Sequence, residues 1–171
     1  YDMDEPYNIY IGTQDNGTVR TQTGDPDQWF GIYGGDGFQA LVHPTNSNRI
    51  WVQFQYGNLA YSSNGGGGWS GAGGGISGSD RRNWNSPLVQ DPTDEDVRYF
   101  GTNKLYRSAS STSWTAISGD LTDGPHAGNA GQVNGTLTTI GVSAIDGDVI
   151  WTGSDDGNVH VTDDGGATWS D

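Results

Sequence analysis

One structural unit recurs along this chain, and its recurrence is the strongest constraint on the fold. Each copy has a short apolar run, a tight turn, a second run of alternating apolar residues and a loop that ends in tryptophan. The clearest copies read RIWVQFQYGNLAYSSNGGGGW at 49–69 and IWTGSDDGNVHVTDDGGATW at 150–169. Two such runs joined by an Asp, Asn or Gly turn predict a β-hairpin, because these residues tolerate positive φ.

The spacing of the copies predicts the architecture. Corresponding positions are Gly12, Gln53, Gly101 and Gly153, which lie 41, 48 and 52 residues apart. A period of about 40–50 residues built from hairpins is typical of β-propeller blades. We therefore predict an all-β protein, a β-propeller of about four blades over the segments 1–34, 35–85, 86–134 and 135–171. The first and last segments are expected to be incomplete blades, as in part of a larger propeller.

The loop that closes each unit has a more specific pattern. In the last copy a hydroxyl, an acid, a glycine and a tryptophan stand at the first, third, fifth and eighth positions, and residues 62–69 keep this spacing with asparagine in place of the acid. The acid can accept backbone N–H bonds across the turn, the glycine supplies an unusual dihedral, and the tryptophan fills the neighbouring layer. We predict structural roles for Thr162, Asp164, Gly166, Trp169, Ser62, Asn64, Gly66 and Trp69.

This loop resembles the Asp-box, or BNR repeat, of sialidase-like and sortilin-like β-propellers. The stretches GTQDNGT at 12–18, GGDGF at 34–38 and QYGNLAYS at 55–62 resemble secreted bacterial BNR and VPS10-type repeat proteins in particular. The resemblance implies that the Asp-box is a structural turn on the blade edge, away from the binding face. It also implies a secreted, extracellular, periplasmic or cell-surface protein, and the acidity and low lysine content favour export.

Composition restricts the partners. The formal net charge is −14, with 21 acidic and seven basic residues, which argues against binding nucleic acid or an anionic membrane. No apolar run approaches the roughly 20 residues of a membrane span, so membrane insertion is not expected. The absence of cysteine excludes disulfides and thiolate metal sites. The expected partner is a polysaccharide or a protein, and open blade edges would favour self-association.

A glycine-rich stretch at 65–87 breaks the repeat pattern and ends in SDRRNWN. Arginine forks, amides and an indole face together suit a sugar or a carboxylate ligand. An equally weighted alternative is that the arginines pair with acidic loops and the tryptophan covers a blade edge. With Asp36 from the turn at 34–37, the candidate ligand-binding residues are Asp36, Asp80, Arg81, Arg82, Asn83, Trp84 and Asn85.

Two further kinds of chemistry have candidates among the aspartates. Asp15 and Asp36 could supply the carboxylate pair of a glycoside hydrolase. However, the arginine cluster and tyrosine–glutamate pair of a sialidase are not recognisable, since Glu5 and Glu95 are the only glutamates and both lie in acidic connectors. Acidic turns also offer hard oxygen ligands for a structural calcium ion, the one cofactor considered. Its candidate ligands are Asp155, Asp163 and Asp164.

These features favour a non-catalytic binding or assembly scaffold that presents a loop face to a polysaccharide or protein. Two alternatives stay open. The chain could be a fragment of an Asp-box glycoside hydrolase, xyloglucanase-like or sialidase-like, with Asp15 and Asp36 as its acids. It could also be a structural subunit of an extracellular assembly.

Overall fold

The fold is built from short antiparallel strands. A computed structural model describes residues 2, 3, 5, 7–127 and 133–171, and within these ranges it contains no helix. The strands are β1 Ile9–Thr13, β2 Gly17–Thr21, β3 Phe30–Tyr33, β4 Gly37–His43, β5 Asn46–Phe54, β6 Asn58–Ser62, β7 Ser70–Gly71, β8 Leu88–Gln90, β9 Arg98–Gly101, β10 Leu105–Ser108, β11 Thr115–Ala116, β12 His126–Ala127, β13 Val133–Asn134, β14 Leu137–Val142, β15 Ile150–Ser154 and β16 Val159–Thr162.

The chain divides into two compact units, Tyr1–Gly73 and Gly74–Asp171. The first unit contains a sheet of order β1-β2-β3 and a sheet of order β4-β5-β6-β7. Every neighbouring pair in these sheets is antiparallel, so each sheet is a simple meander. The first sheet packs on the second, because Tyr10 and Tyr33 lie against a buried cluster of Ile50, Val52 and Ala60.

The second unit contains a sheet of order β8-β9-β10-β11, a β12–β13 hairpin and a sheet of order β14-β15-β16. An isolated antiparallel bridge between Val161 and Ser170 extends the last sheet past β16. The two larger sheets share one core, which also receives Trp169 from the closing loop. Its buried members are Val97, Tyr99, Leu105, Leu121, Leu137, Ile140 and Ile150.

The structure confirms the predicted all-β class and most of the predicted strands, with differences at strand ends and in short elements. A strand over Ile50–Gln55 was expected from the apolar run, but β5 begins at Asn46, because β4 and β5 continue pairing up to the turn that joins them. The two-residue strand β7 and the β12–β13 hairpin were not predicted. Neither contains an alternating apolar run, which is the signal on which strand prediction depends. The boundaries of the four predicted segments stay a prediction.

The apolar character of the repeat predicts that Trp51, Trp69, Trp114, Trp151 and Trp169 pack between adjacent blades, and one of these expectations was wrong. Trp51 and Trp114 are buried, as predicted for residues packed between sheets, but Trp151 is 52% exposed. Trp151 lies on β15, on the face of the last sheet that points away from the core containing Ile140 and Ile150. Burial at this position therefore depends on what lies against that outer face.

Glycine allows successive sheets to approach each other within each unit. A Cβ at Gly12 would overlap the carbonyl oxygen of Phe38 in β4. A Cβ at Gly101 would lie 2.7 Å from Pro87 Cγ and 3.0 Å from Leu137 Cβ, at the start of β14. Both glycines occupy the same position of the repeat, and each allows the following sheet of its unit to stack closely, whereas the second copy has Gln53 at this position.

We expect Gly12→Ala to lower the free energy of unfolding by about 3 kcal/mol or more, because the backbone of β4 must move to admit the methyl group. The matched control is Gly31→Ala, since a Cβ there meets nothing within 4 Å. Urea unfolding followed by tryptophan fluorescence would measure both variants. Equal stability of the two variants would contradict the proposed close approach.

Candidate functional site

In the first unit, the carboxylate of Asp36 joins two hairpin turns. Its Oδ1 accepts a hydrogen bond from the Asp15 N–H at 2.8 Å, in the turn between β1 and β2. The Asp36 N–H donates to Gln55 Oε1 at 2.8 Å, and Gln55 begins the turn between β5 and β6. Asp15 itself has a φ of 68°, in the left-handed region. The structure therefore brings together the two predicted acids, Asp15 and Asp36, and adds Gln55 to them.

Glycines allow this bridge to form. Gly35 has a φ of 87°, and a Cβ there would lie 2.7 Å from Gln55 Oε1. A Cβ at Gly37 would overlap the carbonyl oxygen of Gly17 in the first hairpin. The sequence Gly-Gly-Asp-Gly thus folds tightly against the neighbouring turns, and the aspartate between its glycines is held in a fixed position.

Tyr56 is a residue that the sequence interpretation missed. It occupies the tip of the β5–β6 hairpin with a φ of 62°, and its side chain is 59% exposed. Gly57 follows with a φ of 62°, and Asn58 Nδ2 donates to the Gln55 carbonyl at 2.8 Å. An aromatic residue in the left-handed region is uncommon and costs conformational energy. The available signal was a tyrosine at the turn position where Asn, Asp or Gly is preferred.

In the second unit, Asp80 is a buried hydrogen-bond acceptor, with a side chain only 4% exposed. Its carboxylate accepts from the Tyr106 hydroxyl, from Lys104 Nζ at 3.1 Å and from Thr102 Oγ1 at 3.3 Å. The hydrogen bond that Lys104 donates to Asp80, together with the negative charge of that carboxylate, raises the pKa of Lys104. Burial, together with the same carboxylate, raises the pKa of Tyr106. Asp80 therefore holds the β9–β10 hairpin in place.

Arg81 is also engaged by the protein itself. Its guanidinium donates to Asp120 Oδ2 at 2.6 Å, to Thr122 Oγ1 at 2.9 Å and to the Gly135 carbonyl at 3.0 Å. Burial alone would raise the pKa of Asp120, but the hydrogen bonds from Arg81, Thr122 and Asn103 outweigh it and lower that pKa. This arrangement matches the alternative in which the arginine pairs with an acidic loop.

Of the remaining candidate ligand-binding residues in this stretch, some are hydrogen-bonded within the protein and others are exposed to solvent. Arg82 donates to the Ser77 carbonyl at 3.4 Å, and Asn83 Nδ2 donates to Thr136 Oγ1 at 3.0 Å. Trp84 is half-buried, whereas Asn85 is exposed and its N–H donates to Asn83 Oδ1 at 3.1 Å. Because most of these polar groups already have protein partners, the stretch presents fewer groups to a ligand than the sequence suggested.

The three candidate calcium ligands do not meet at one place. Asp155 precedes β16, whereas Asp163 and Asp164 follow it, so they lie at opposite ends of one strand. The Asp155 carboxylate accepts from the Gly135 N–H at 2.7 Å, the Thr136 N–H at 3.0 Å and Thr136 Oγ1 at 2.7 Å. Asp155 thus fixes the entry to β14 through its own hydrogen bonds.

The closing loop at 162–169 is a compact network around the Asp164 carboxylate. Oδ1 accepts from the Thr168 N–H at 2.8 Å and from Thr162 Oγ1 at 2.7 Å, and Oδ2 accepts from Thr168 Oγ1 at 2.7 Å. Gly166 donates its N–H to Thr162 Oγ1 at 2.9 Å, and Trp169 Nε1 donates to the Ile117 carbonyl at 3.1 Å. The hydrogen bonds that the Asp164 carboxylate accepts, with that from the Thr168 N–H largest, lower the pKa of Asp164 to about 2.

The loop at 62–69 has the same geometry with a neutral centre. Ser62 Oγ donates to Asn64 Oδ1 at 2.9 Å and accepts from the Gly66 N–H at 2.9 Å. Trp69 makes an edge-to-face contact with Tyr33, with ring centroids 5.1 Å apart. An uncharged amide therefore suffices to build this loop.

Comparison with solved structures identifies the fold. The chain superposes on an ancestral GH74 enzyme with a TM-score of 0.70 and 17% identity, over 99% of this chain and 23% of that chain. For the GH74 xyloglucanase from Xanthomonas campestris the TM-score is 0.68, with 12% identity over 99% of this chain and 28% of that chain. For the GH74 enzyme of Niastella koreensis the TM-score is 0.64, with 18% identity over 99% and 28%.

The chain therefore has a β-propeller fold, as the repeat predicted, and it spans about a quarter of the length of these glycoside hydrolases. No protein-family model and no curated protein matches the sequence. Structural similarity at such low sequence identity shows a shared fold and nothing more. Membership of the Asp-box family therefore stays a prediction. Among the described residues, no helix has the length and apolar character needed to cross a membrane.

The Asp164 network predicts a pH-dependent contribution to stability. The folded pKa of about 2 lies below the ordinary value of 3.8, so the contribution is present above about pH 4 and is lost as the pH falls towards 2. Asp164→Asn should therefore be less stable than the wild type at pH 7, with a gap that closes in acid. Urea midpoints at pH 7 and pH 2.5 would test this, with Asp163→Asn as the matched control. A gap of the same size at both pH values would contradict the assignment.

Proposed function

We propose that this propeller is a non-catalytic polysaccharide-binding scaffold, and that its binding surface in the first unit is formed by the β1–β2 and β5–β6 turns. The observation that carries the proposal is Tyr56, an exposed aromatic residue held in the left-handed region at a hairpin tip. Strain of this kind persists where the surrounding structure imposes it, and it is concentrated at functional sites. Here the Asp36 bridge fixes Gln55, the residue immediately before Tyr56.

The chemistry of this surface suits a sugar chain. A phenol ring offers a flat apolar face for the C–H side of a pyranose ring and a hydroxyl for its polar edge. The adjoining turn adds Asp15 and Asn16, which are both exposed and can hydrogen-bond to sugar hydroxyls. The solved structures with the same fold include an enzyme named as a xyloglucanase, which supports a β-linked glucan as the first ligand to test.

The carboxylates favour binding over hydrolysis. Hydrolysis of a glycoside needs two carboxyl groups that flank the scissile bond, one of them free to donate a proton. Asp36 Oδ1 instead accepts a backbone N–H bond that holds the hairpin turn. In the second unit, the Asp80 and Asp155 carboxylates are likewise occupied by several protein donors. We therefore assign these aspartates to the framework of the loops.

Isothermal titration calorimetry with soluble xyloglucan tests the proposal. Tyr56→Ala should weaken binding by about tenfold or more, the equivalent of about 1.4 kcal/mol, because it removes the stacking face. Tyr56→Phe should keep most of the affinity. Tyr56→Asn should lose affinity as Tyr56→Ala does while melting no lower than the wild type, since asparagine tolerates the left-handed conformation.

The controls separate loss of binding from loss of fold. Thermal melts of all three variants would show whether the hairpin survives, and amylose would serve as an α-linked comparison glycan. If the wild-type chain binds neither xyloglucan nor another β-glucan, the polysaccharide proposal fails. A protein would then be the ligand to test. If a folded Tyr56→Ala variant bound xyloglucan with unchanged affinity, the binding site would lie elsewhere on the chain.

One observation favours the hydrolase alternative, which is that the two candidate acids lie in neighbouring turns, since Asp36 lies against the turn that contains Asp15. Asp36→Asn tests it cleanly, because an amide oxygen can still accept that hydrogen bond while its capacity for acid–base chemistry is lost. As a scaffold, this variant should retain xyloglucan binding within about threefold, and neither it nor the wild type should release reducing ends. Reducing-end release that disappears in Asp36→Asn would establish the hydrolase instead.

A further inference from the structure

Two hairpin turns of the first unit share an unusual geometry. The β1–β2 turn at 14–16 and the β5–β6 turn at 55–57 each place three residues between paired strand ends. Their central residues, Asp15 and Tyr56, have φ values of 68° and 62°. Within the described part of the chain, these two are the non-glycine residues with positive φ. The same uncommon conformation is therefore imposed at equivalent positions of two successive copies of the repeat.

Asp36 lies between these turns and forms a hydrogen bond with each. Its Oδ1 accepts from the Asp15 N–H at 2.8 Å, and its own N–H donates to Gln55 Oε1 at 2.8 Å. The first hydrogen bond ends on the backbone of the β1–β2 turn, whereas the second ends on the side chain of Gln55. Shortening that side chain would therefore release the β5–β6 turn from Asp36 and leave the other hydrogen bond in place.

The Gln55 side chain fits closely into this arrangement. It is half-buried, and a Cβ at Gly35 would lie 2.7 Å from its Oε1. A glycine at position 35, with a φ of 87°, thus leaves room for the amide. Tyr56 follows Gln55 directly and is 59% exposed. An anchored residue and an exposed aromatic residue are therefore adjacent in the chain, in the turn of one hairpin.

An anchor of this kind matters because the left-handed conformation is costly for an aromatic residue. Without a hydrogen bond to the neighbouring turn, the β5–β6 turn can relax, and the Tyr56 ring samples other orientations. A ligand must then order the turn when it binds, which lowers the affinity, whereas a ring that is already fixed avoids that cost. Gln55 can therefore raise the affinity for a ligand that it does not touch.

We infer that Gln55 is a positioning residue of the polysaccharide site. Its side chain anchors the β5–β6 turn to Asp36 and so holds the Tyr56 ring in place for stacking on a sugar. The inference rests on the polysaccharide-binding function proposed above and adds to it a residue that acts through Tyr56 without contacting the glycan. Because Asp36 also holds the Asp15 turn, the two turns act as one preorganised surface.

Calorimetric titration with xyloglucan gives the first measurement. Gln55→Ala should weaken binding by about fivefold, the cost of ordering a released side chain. Gln55→Glu should bind like the wild type in high salt, because a carboxylate oxygen accepts the same N–H and salt screens its repulsion from Asp36. The matched control is Gln28→Ala, in the β2–β3 connection at the opposite end of the first sheet, where the amide donates to Asp25 Oδ2 at 3.3 Å. It should bind like the wild type.

A double-mutant cycle shows whether Gln55 acts through Tyr56. If it does, Gln55→Ala should change the affinity by less than about twofold once Tyr56→Ala is already present, because no ring is left to position. A residue that contacts the glycan itself, or that supports the fold in general, would instead cost the same factor in both backgrounds. Thermal melts of the single and double variants would confirm that each is folded.

Nuclear magnetic resonance relaxation gives a measurement that needs no ligand. The heteronuclear NOE of the Tyr56 and Gly57 amides reports on motion of the β5–β6 turn on the picosecond to nanosecond timescale. It should fall in Gln55→Ala and keep its wild-type value in Gln55→Glu and Gln28→Ala. Asn58 Nδ2 donates to the Gln55 carbonyl at 2.8 Å in all of these variants, so the hairpin itself is expected to persist.

The outcomes separate this inference from the proposed function. If the wild type binds xyloglucan but a folded Gln55→Ala variant keeps its affinity or its turn mobility, the positioning role is wrong and the polysaccharide site stands. An equal loss of affinity with and without Tyr56 would overturn the positioning role as well. A wild type that binds no β-glucan would overturn the proposed function and, with it, the role of Gln55 in binding, even where the relaxation data show an anchored turn.

Discussion

Close stacking of one sheet on the next is the constraint on which this structure depends. Gly12 and Gly101 have no room for a side chain, and aromatic residues two positions earlier, Tyr10 and Tyr99, pack on the neighbouring sheet. A thin sheet cannot bury both of its faces alone, so each depends on the next for its core. This explains how a chain with only 32% hydrophobic residues builds buried clusters.

The repeat carried most of the information about the fold. Its hairpins, its period and its closing loops predicted the all-β class and the strands, because alternation and turn chemistry act locally. Contacts between residues that are far apart in the sequence were harder to predict. Nothing in the sequence around Asp36 indicates that its carboxylate would hold the Asp15 turn, and Trp151 looked like Trp51 although only one of them is buried. Exposure is decided by the neighbouring sheet, which a local pattern does not describe.

The candidate site was harder to predict than the fold for a related reason. The stretch SDRRNWN has the composition of a ligand site, yet Asp80 and Arg81 are engaged with Lys104, Tyr106 and Asp120. Residue type alone cannot distinguish a side chain that binds a ligand from one that holds a loop. Tyr56 shows the converse. Its residue type is ordinary, and only its backbone conformation and exposure mark it as a candidate.

The acidic character of the chain also has a structural explanation. Asp36 and Asp164 accept backbone N–H groups in tight turns, and such groups need an acceptor when the strand ladder ends. Asn64 occupies the place of Asp164 in an equivalent loop, so the turn requires an oxygen acceptor rather than a charge. An acidic turn in this fold is therefore weak evidence for catalysis or metal binding. The binding surface proposed in the first unit is therefore argued from Tyr56, an exposed aromatic residue in the left-handed region, and not from an acidic turn.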